Sequence, residues 1–275
     1  MKKFAKILSL LMALALVLTC AACGSSDTES GAKDAASEKQ TLRVATNAEF
    51  VPFESVDKES GELIGFDIEL MKAIGEKIGY EIKFDNMEFE AVIGAVTSGS
   101  CDAAISGLTI NAKRSKSVDF CDAYYSGAAQ ILIVAPNDTY YTGKTKEELD
   151  EQLKNQKIGV CTGFTGQEYA EGDEEWGFKG IEGAKISIYD NVSLAIADLK
   201  NGTINAIIMD DSVAKNAADE NKDVAKVIDV PLTVEEYGIA VKKGNTELTE
   251  KINKAFKELK DDGTYDNLLK KFGLN

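Results

Sequence analysis

The strongest constraint on the fold is an alternation of strand-like and helix-like segments that runs along the chain twice. The first series starts at TLRVAT (41–46) and continues through amphipathic helical stretches to a short apolar run at 103–106. The second series starts at AAQILIVA (128–135) and ends at AKVID (225–229). Strands that alternate with helices build mostly parallel sheets covered by helices. We therefore predict an α/β protein of two lobes, because two sheets explain a repeated pattern more economically than one.

One short match indicates which strands of the two series are equivalent. Residues 99–105 (GSCDAAI) and 202–208 (GTINAII) share the pattern G-x-x-[DN]-A-x-I, a helix stop followed by a buried strand. Counting on, Gly107 and Asp210 fall just past equivalent strand ends. The interpretation is that the lobes face each other across a cleft, with one ligand-binding strand end each, and chance is the alternative for so short a match.

Polar groups converge after the first of these strands. Asn111 is a good helix N-cap residue, and Arg114 lies in the turn that follows it. Open α/β sheets bind ligands past the carboxyl ends of their strands, and a guanidinium engages both oxygens of a carboxylate. With the Thr109 hydroxyl beside it, Arg114 is a candidate carboxylate ligand. The alternative is a solvated helix residue between Lys113 and Lys116.

Composition excludes several functions. The sequence contains no histidine, which removes the commonest general base and metal ligand. The formal net charge is −15, whereas phosphate binding requires a basic face. We predict no catalytic residues, no metal, no cofactor and no nucleic-acid partner.

The N-terminus has the pattern of a secretion signal. Lysines precede an apolar run at 7–18 that is too short for a permanent membrane span, and small residues then lead to Cys23. We expect residues 1–22 to be a lipoprotein signal peptide, Cys23 to carry the lipid, and residues 23–40 to be a flexible tether. Cys20 is a weaker alternative acceptor, and an ordinary secreted protein is the alternative to lipidation.

Three cysteines remain in the body of the chain. An odd number cannot pair completely within one chain. Cys101 and Cys121 could form a bridge if strands bring them close, and buried free thiols are the preferred interpretation. The three are Cys101, Cys121 and Cys161.

Residues 107–125, GLTINAKRSKSVDFCDAYY, resemble a sequence block of the bacterial extracellular solute-binding proteins of family 3, which serve amino-acid ABC transporters. Cys121 and Ala123 depart from the block at positions without ligand chemistry. Further matching motifs extend over residues 41–274. The resemblance implies a type II periplasmic-binding fold with two hinge strands. Lobe 1 is then expected at 41–127 and 236–275, and lobe 2 at 128–235.

The resemblance also implies the groups that hold the backbone atoms of an amino acid. Arg114 and Thr109 would bind its carboxylate, and Asp210 would bind its ammonium group from the opposite lobe. Asp211 would start the next helix, whereas on its own the Asp210-Asp211 pair also fits a simple helix cap. Thr165 lies in a loop similar to one whose backbone N–H meets the ligand carboxylate. The pattern Thr-x-x-Glu at 145–148 and 165–168 also predicts a side-chain cap at both helix starts.

Phe50 and Phe89 match the family positions whose rings enclose the ligand side chain, although ordinary core packing is an alternative for both. Asn47 stands where an acid is often found. A neutral amide there slightly favours a polar neutral amino acid or cystine as ligand over a basic one, unless Glu49 or Glu90 supplies the missing negative charge.

The predicted function is therefore that of a monomeric, lipid-anchored receptor outside the cytoplasm. It would close around a free polar amino acid and deliver it to a membrane permease and its ATPase. Two alternatives remain: a secreted dehydratase of cyclohexadienyl acids on the same scaffold, with Glu49 or Glu90 as general acid, and a sensory or adhesive surface lipoprotein.

Overall fold

The computed structural model describes residues 40–274 of the chain. The predicted signal peptide, lipidated cysteine and nearly all of the predicted tether lie outside these residues. The strands are β1 Gln40–Thr46, β2 Glu49–Phe50, β3 Glu54–Val56, β4 Leu63–Ile64, β5 Tyr80–Asn86, β6 Ala103–Ala104, β7 Val118–Phe120, β8 Tyr125–Ala128, β9 Gln130–Val134, β10 Lys157–Cys161, β11 Lys185–Tyr189, β12 Ala206–Asp210, β13 Lys226–Ile228, β14 Glu235–Tyr237 and β15 Ala240–Lys242. The helices are α1 Phe66–Ile78, α2 Phe89–Ser98, α3 Ala112–Ser115, α4 Lys146–Leu153, α5 Thr165–Glu171, α6 Val192–Lys200, α7 Asp211–Glu220, α8 Thr246–Asp261 and α9 Thr264–Phe272.

Two five-stranded sheets have the same construction. The first has the order β5-β1-β6-β15-β7 and the second the order β11-β10-β12-β9-β13. In each sheet every strand points the same way except the fourth, which is β15 in the first sheet and β9 in the second. Strands β6 and β12 both occupy the third position, so the equivalence predicted from the G-x-x-[DN]-A-x-I pattern is confirmed.

The helices form where apolar spacing and capping groups coincide. Helix α1 buries Leu70, Met71 and Ile74 on one face and ends at Gly79, whose φ of 79° is left-handed. Helix α4 begins after Thr145, whose side chain accepts the N–H of Glu148, as the cap pattern predicts. Because helices α1, α2, α6, α7 and α8 each bury a stripe of apolar side chains, they cover the two sheets.

The two sheets are joined by two chain crossings that lie side by side. Strand β8 leads from the first sheet to the second, and β14 leads back. The two strands pair antiparallel, with Ala128 opposite Glu235, and a register irregularity falls between Glu235 and Glu236. Paired crossings of this kind form a hinge between two lobes. The first lobe is hereafter the body built on the first sheet, and the second lobe is the body built on the second.

The C-terminal helices return to the first lobe. Helices α8 and α9 pack against each other and against α1. Phe256 of α8 lies edge-on to Tyr265 of α9, with ring centroids 5.2 Å apart, and Tyr265 in turn faces Phe66 at 6.0 Å. The chain end therefore completes the hydrophobic core of the lobe in which the first strand lies.

The three cysteines of the described chain are free and buried. Burial raises the pKa of the Cys101 thiol to about 11 and those of Cys121 and Cys161 to about 12. The interpretation as buried free thiols is confirmed, and no bridge joins Cys101 to Cys121. Among residues 40–274, no helix is both long and apolar enough to cross a membrane.

Candidate functional site

The predicted site residues gather along the seam where the two lobes meet. Thr109 follows β6 in the first lobe, and Thr165 begins α5 in the second. Their hydroxyl oxygens lie 3.2 Å apart, and both residues are buried. The lobes are therefore in direct contact at the strand end that the sequence identifies as a binding site.

Arg114 reaches across this seam. Its Nη1 donates to the Thr109 carbonyl at 3.0 Å, and its Nη2 donates to the Gly163 carbonyl of the second lobe at 3.1 Å. Its guanidinium carbon also lies 5.4 Å from the centroid of the Phe89 ring. In the described part of the chain it forms no ion pair, and burial lowers the pKa of Arg114. The solvated-surface alternative is thus wrong, and the charge remains without an anionic partner in contact.

The local sequence fixes where Arg114 points. The Asn111 side chain accepts the backbone N–H of Arg114 at 2.6 Å and so caps α3, as predicted. Because α3 is a single turn, this cap sets the direction in which the arginine side chain leaves the backbone.

Asp210 supplies a carboxylate from the second lobe. It is 3% exposed, ends β12, and accepts the hydroxyl of Tyr237 at 2.9 Å. It precedes α7, but its side chain makes no capping hydrogen bond, so the helix-cap alternative is wrong, while Asp211 starts the helix as predicted. Burial and the neighbouring Glu235 raise the pKa of Asp210 to about 7, although Gln130, Tyr237 and Arg114 act in the opposite direction.

Glu235 is a site residue that sequence reasoning missed. It lies on hinge strand β14, is 3% exposed, and accepts the Thr109 hydroxyl at 2.7 Å. Thr233 donates to it at 2.6 Å and Gln130 at 3.1 Å. The seam thus holds two buried carboxyl groups, Asp210 and Glu235, and the partly buried guanidinium of Arg114.

An aromatic cluster spans the lobes beside these charges. Phe50 and Phe89 belong to the first lobe, and the ring of Phe164 from the second lobe lies 6.0 Å and 4.5 Å from them, centroid to centroid. The two predicted rings are therefore brought together around a third aromatic ring that was not predicted.

Two glycines permit these close approaches. Gly107 has φ 52°, and a Cβ there would lie 2.7 Å from the Phe50 ring. Gly163 has φ 75° and turns its carbonyl to Arg114. A side chain would be strained at either position, because both backbones are left-handed.

The Thr165 side chain does not cap its helix, and the Asn47 side chain forms a hydrogen bond within its own lobe. The cap predicted at Thr165 is wrong: Phe164 occupies the N-cap position without a side-chain bond, and the Thr165 hydroxyl faces Thr109 instead. Asn47 is 7% exposed, and its side-chain amide donates to the Met87 carbonyl at 2.9 Å. Asn47 therefore ties two loops of the first lobe together.

Ion pairs close the outer edge of the seam. Lys113 of α3 lies 2.9 Å from Glu168 of α5 and 3.9 Å from Asp173, and Lys116 pairs with Glu175. Exposed pairs contribute little individually, about 0–1 kcal/mol. In the part of the chain described here, no cluster of three or more acidic or thiol side chains has the arrangement of a metal site.

Comparisons with known proteins agree with this geometry. The model of the bacterial extracellular solute-binding proteins, family 3, matches residues 42–275. The arginine-binding extracellular protein ArtP of Bacillus subtilis (strain 168) is 35% identical over 274 residues, covering 99% of this chain and 98% of its own.

Two solved structures are similar throughout the body. An ancestral arginine-binding protein bound to glutamine superposes with a TM-score of 0.74 and 39% identity, covering 86% of this chain and 99% of its own. An ancestral amino-acid-binding protein described as a precursor of cyclohexadienyl dehydratase has a TM-score of 0.71 and 33% identity, with 84% and 94% covered. These similarities confirm the predicted family, the two-lobed fold and the substrate-binding role. The chain belongs to the bacterial extracellular solute-binding proteins, family 3.

Proposed function

We propose that this protein binds one free polar amino acid between its lobes and delivers it to an ABC permease and its ATPase. The observation that carries the proposal is the guanidinium of Arg114, which forms no ion pair within residues 40–274 and lies on the same seam as two buried carboxyl groups. An amino acid carries one negative and one positive group, and this seam offers a partner for each.

The carboxylate of the ligand is assigned to Arg114. Two of the five N–H donors of a guanidinium are used by backbone carbonyls, which leaves donors for both carboxylate oxygens. Thr109, Gly107 and Thr165 lie around the same strand and helix ends and complete this subsite. The binding roles of all four residues are proposals that rest on this placement.

The ammonium group of the ligand is assigned to Asp210. A second carboxyl group, Glu235, stands near it, and burial disfavours two negative charges in the same place. An ammonium group would relieve this repulsion, so the ligand stabilises the closed state through contacts that exist only there.

The side chain of the ligand is assigned to the aromatic cluster of Phe50, Phe89 and Phe164. Asn47 precedes Phe50 by three residues in the first lobe, and Glu49 lies between them at the start of β2. Partial desolvation and the nearby Glu88 raise the pKa of Glu49. A polar neutral side chain or cystine suits the Asn47 amide, whereas a basic side chain would require the Glu49 carboxylate. Arginine and glutamine, named for the similar proteins, represent these two classes.

The lobes are proposed to span 41–127 with 236–275 and 128–235, so that the boundaries fall within β8 and β14. The protein is proposed to act as a monomer, since each ligand contact named above comes from one chain. We also propose that residues 1–22 are a signal peptide and that Cys23 carries a lipid anchor, with 23–40 as tether, on the sequence pattern alone.

The protein is proposed to be a binding protein and not an enzyme. The similarity to a precursor of cyclohexadienyl dehydratase makes that activity the second candidate. Its general acid would be Glu49 or Glu90, and both residues are exposed. An assay for dehydration of a cyclohexadienyl acid distinguishes the two functions directly.

The deciding experiment is calorimetric titration of the body from Gly24 onward, unfolded and refolded to remove any bound ligand. The panel contains the common amino acids and cystine. We expect a saturable one-to-one isotherm that is lost when the ligand carboxylate is amidated. A folded sample that binds none of them refutes the proposed function.

A further inference from the structure

A pair of buried carboxyl groups, Glu54 and Asp67, lies behind the candidate site and takes no part in it. Glu54 is on β3 and Asp67 is at the start of α1, and both are 0% exposed. Their side chains are within hydrogen-bonding reach of each other. Within residues 40–274, one oxygen of each, Glu54 Oε2 and Asp67 Oδ1, has no other partner.

The remaining oxygens hold the backbone of the two loops that line the site. Glu54 Oε1 accepts the Ser106 hydroxyl at 2.7 Å, and the Ser106 oxygen accepts the N–H of Asn47 at 2.9 Å. Asp67 Oδ2 accepts the N–H of Gly107 at 2.9 Å and the Tyr124 hydroxyl at 2.7 Å. Both loops are thus fixed through one pair of acids.

In the part of the chain that the structure describes, no positive charge pairs with these two acids. Among the described residues neither acid forms an ion pair, and the polar groups that face them are the Tyr124 phenol, the Ser106 hydroxyl and the Gly107 N–H. Glu69 of α1 and Lys271 of α9 pair with each other instead. Burial and Asp67 raise the pKa of Glu54 well above 4.5, and burial raises the pKa of Asp67 to about 6. Two ionised carboxylates in contact without a cation would repel strongly.

We propose that Glu54 and Asp67 share one proton between Oε2 and Oδ1, and that this acid–carboxylate dyad positions segments 47–50 and 106–107. The dyad acts through the loops and touches no ligand, so its members are positioning residues. The inference rests on the proposed function only for the role of those loops.

The proton makes a sharp prediction for amide substitutions. In Glu54→Gln, the new amide donates permanently to Asp67, and in Asp67→Asn the new amide donates to Glu54. In the double variant two amide donors face each other, because the opposite oxygen of each side chain is held by Ser106 or by Gly107 and Tyr124. Each single change should therefore be tolerated, and the double change should not.

The first test is a thermal-unfolding cycle of these four proteins at pH 7 without ligand. Glu62→Gln serves as the matched control, because Glu62 is an exposed acid between β3 and β4. We expect the melting temperature of the double variant to fall by at least about 3 °C more than the sum of the decreases in the two single variants. Expression of both single variants with an unfolded double variant supports the dyad equally. Additive shifts overturn it, and so does unfolding of either single variant.

The second test is the pH dependence of the same unfolding. A carboxyl group whose pKa is higher in the folded than in the unfolded protein stabilises the folded state at low pH. This stabilisation is lost as pH rises from the unfolded pKa near 4 through the folded pKa. Glu54→Gln removes this loss at the dyad. The melting temperature of Glu54→Gln minus that of the wild type should therefore increase by at least about 3 °C between pH 5 and pH 8. Comparing the two proteins cancels the similar contribution of Asp210. A difference that does not change with pH overturns the shared proton.

The outcomes separate this inference from the proposed function. Both tests need no ligand, so failure of the dyad appears as additivity or as an unchanged pH profile. Failure of the proposed function appears as a wild-type protein that binds no amino acid.

Discussion

Replacement of Arg114 is the most direct test of the charge arrangement at the seam. Arg114→Ala removes the guanidinium that is proposed to bind the ligand carboxylate and would leave that carboxylate buried without this cation. Truncating one partner of a buried, hydrogen-bonded charge pair costs about 2–5 kcal/mol. The expected increase in Kd is therefore about 30-fold to 4,000-fold. Arg114→Lys should fall between wild type and alanine, because an ammonium retains the charge and loses the planar fork.

The matched control is Lys116→Ala, which removes a positive charge from the end of the same helical turn. Lys116 forms an exposed ion pair with Glu175 across the seam, worth about 0–1 kcal/mol, so its loss should raise Kd by less than about fivefold. Calorimetric titration of refolded protein measures all three variants. A saturable isotherm for Arg114→Ala within fivefold of the wild type would refute the assignment of the carboxylate subsite.

Three further predictions concern other parts of the molecule. The pKa of Asp210 is raised to about 7, and an ammonium ligand would lower it, so Kd should rise as pH falls below 7, by at most about tenfold per pH unit. In titrations from pH 5 to 8, Asp210→Asn should flatten this pH dependence of Kd. Asn111→Ala removes the cap that directs Arg114, so chemical denaturation should show a loss of about 1 kcal/mol, and an unchanged stability would contradict the cap. A thiol reagent at pH 8 should leave native protein unmodified and titrate all three body thiols after unfolding; rapid native reaction would contradict their burial, and fewer thiols after unfolding would reveal a disulfide among Cys101, Cys121 and Cys161.

Much of the fold was predictable because its signals are local. Buried strands such as β9 read as apolar runs, and the helix start at Thr145 carries its own capping group. The placement of Arg114 was predictable for the same reason, since Asn111 lies three residues before it and strand β6 ends ten residues before it. The order of the strands in each sheet depends on contacts between distant residues. A shared spacing in the two series was nevertheless enough to identify β6 and β12 as equivalent strands.

The missed residues depend on contacts between distant parts of the chain. Glu235 is a charged residue in a short strand, and its sequence neighbours do not indicate that it is buried against Thr109, which lies 126 residues earlier and donates to it. Phe164 follows a glycine in a helix-start motif, so nothing nearby indicates that it meets Phe50 and Phe89 of the other lobe. The cap expected at Thr165 failed for the same physical reason, because its hydroxyl faces Thr109 across the seam.

The position of β15 has a consequence for how the protein is made. This strand lies between β6 and β7 in the first sheet, yet it is synthesised after the whole of the second lobe. The second sheet is complete once Ile228 has been added, whereas the first must keep a gap for a strand that arrives at Ala240. Contacts of such large sequence separation slow folding. We therefore expect the second lobe to fold first and the first lobe, with the N-terminal strand in it, to close last.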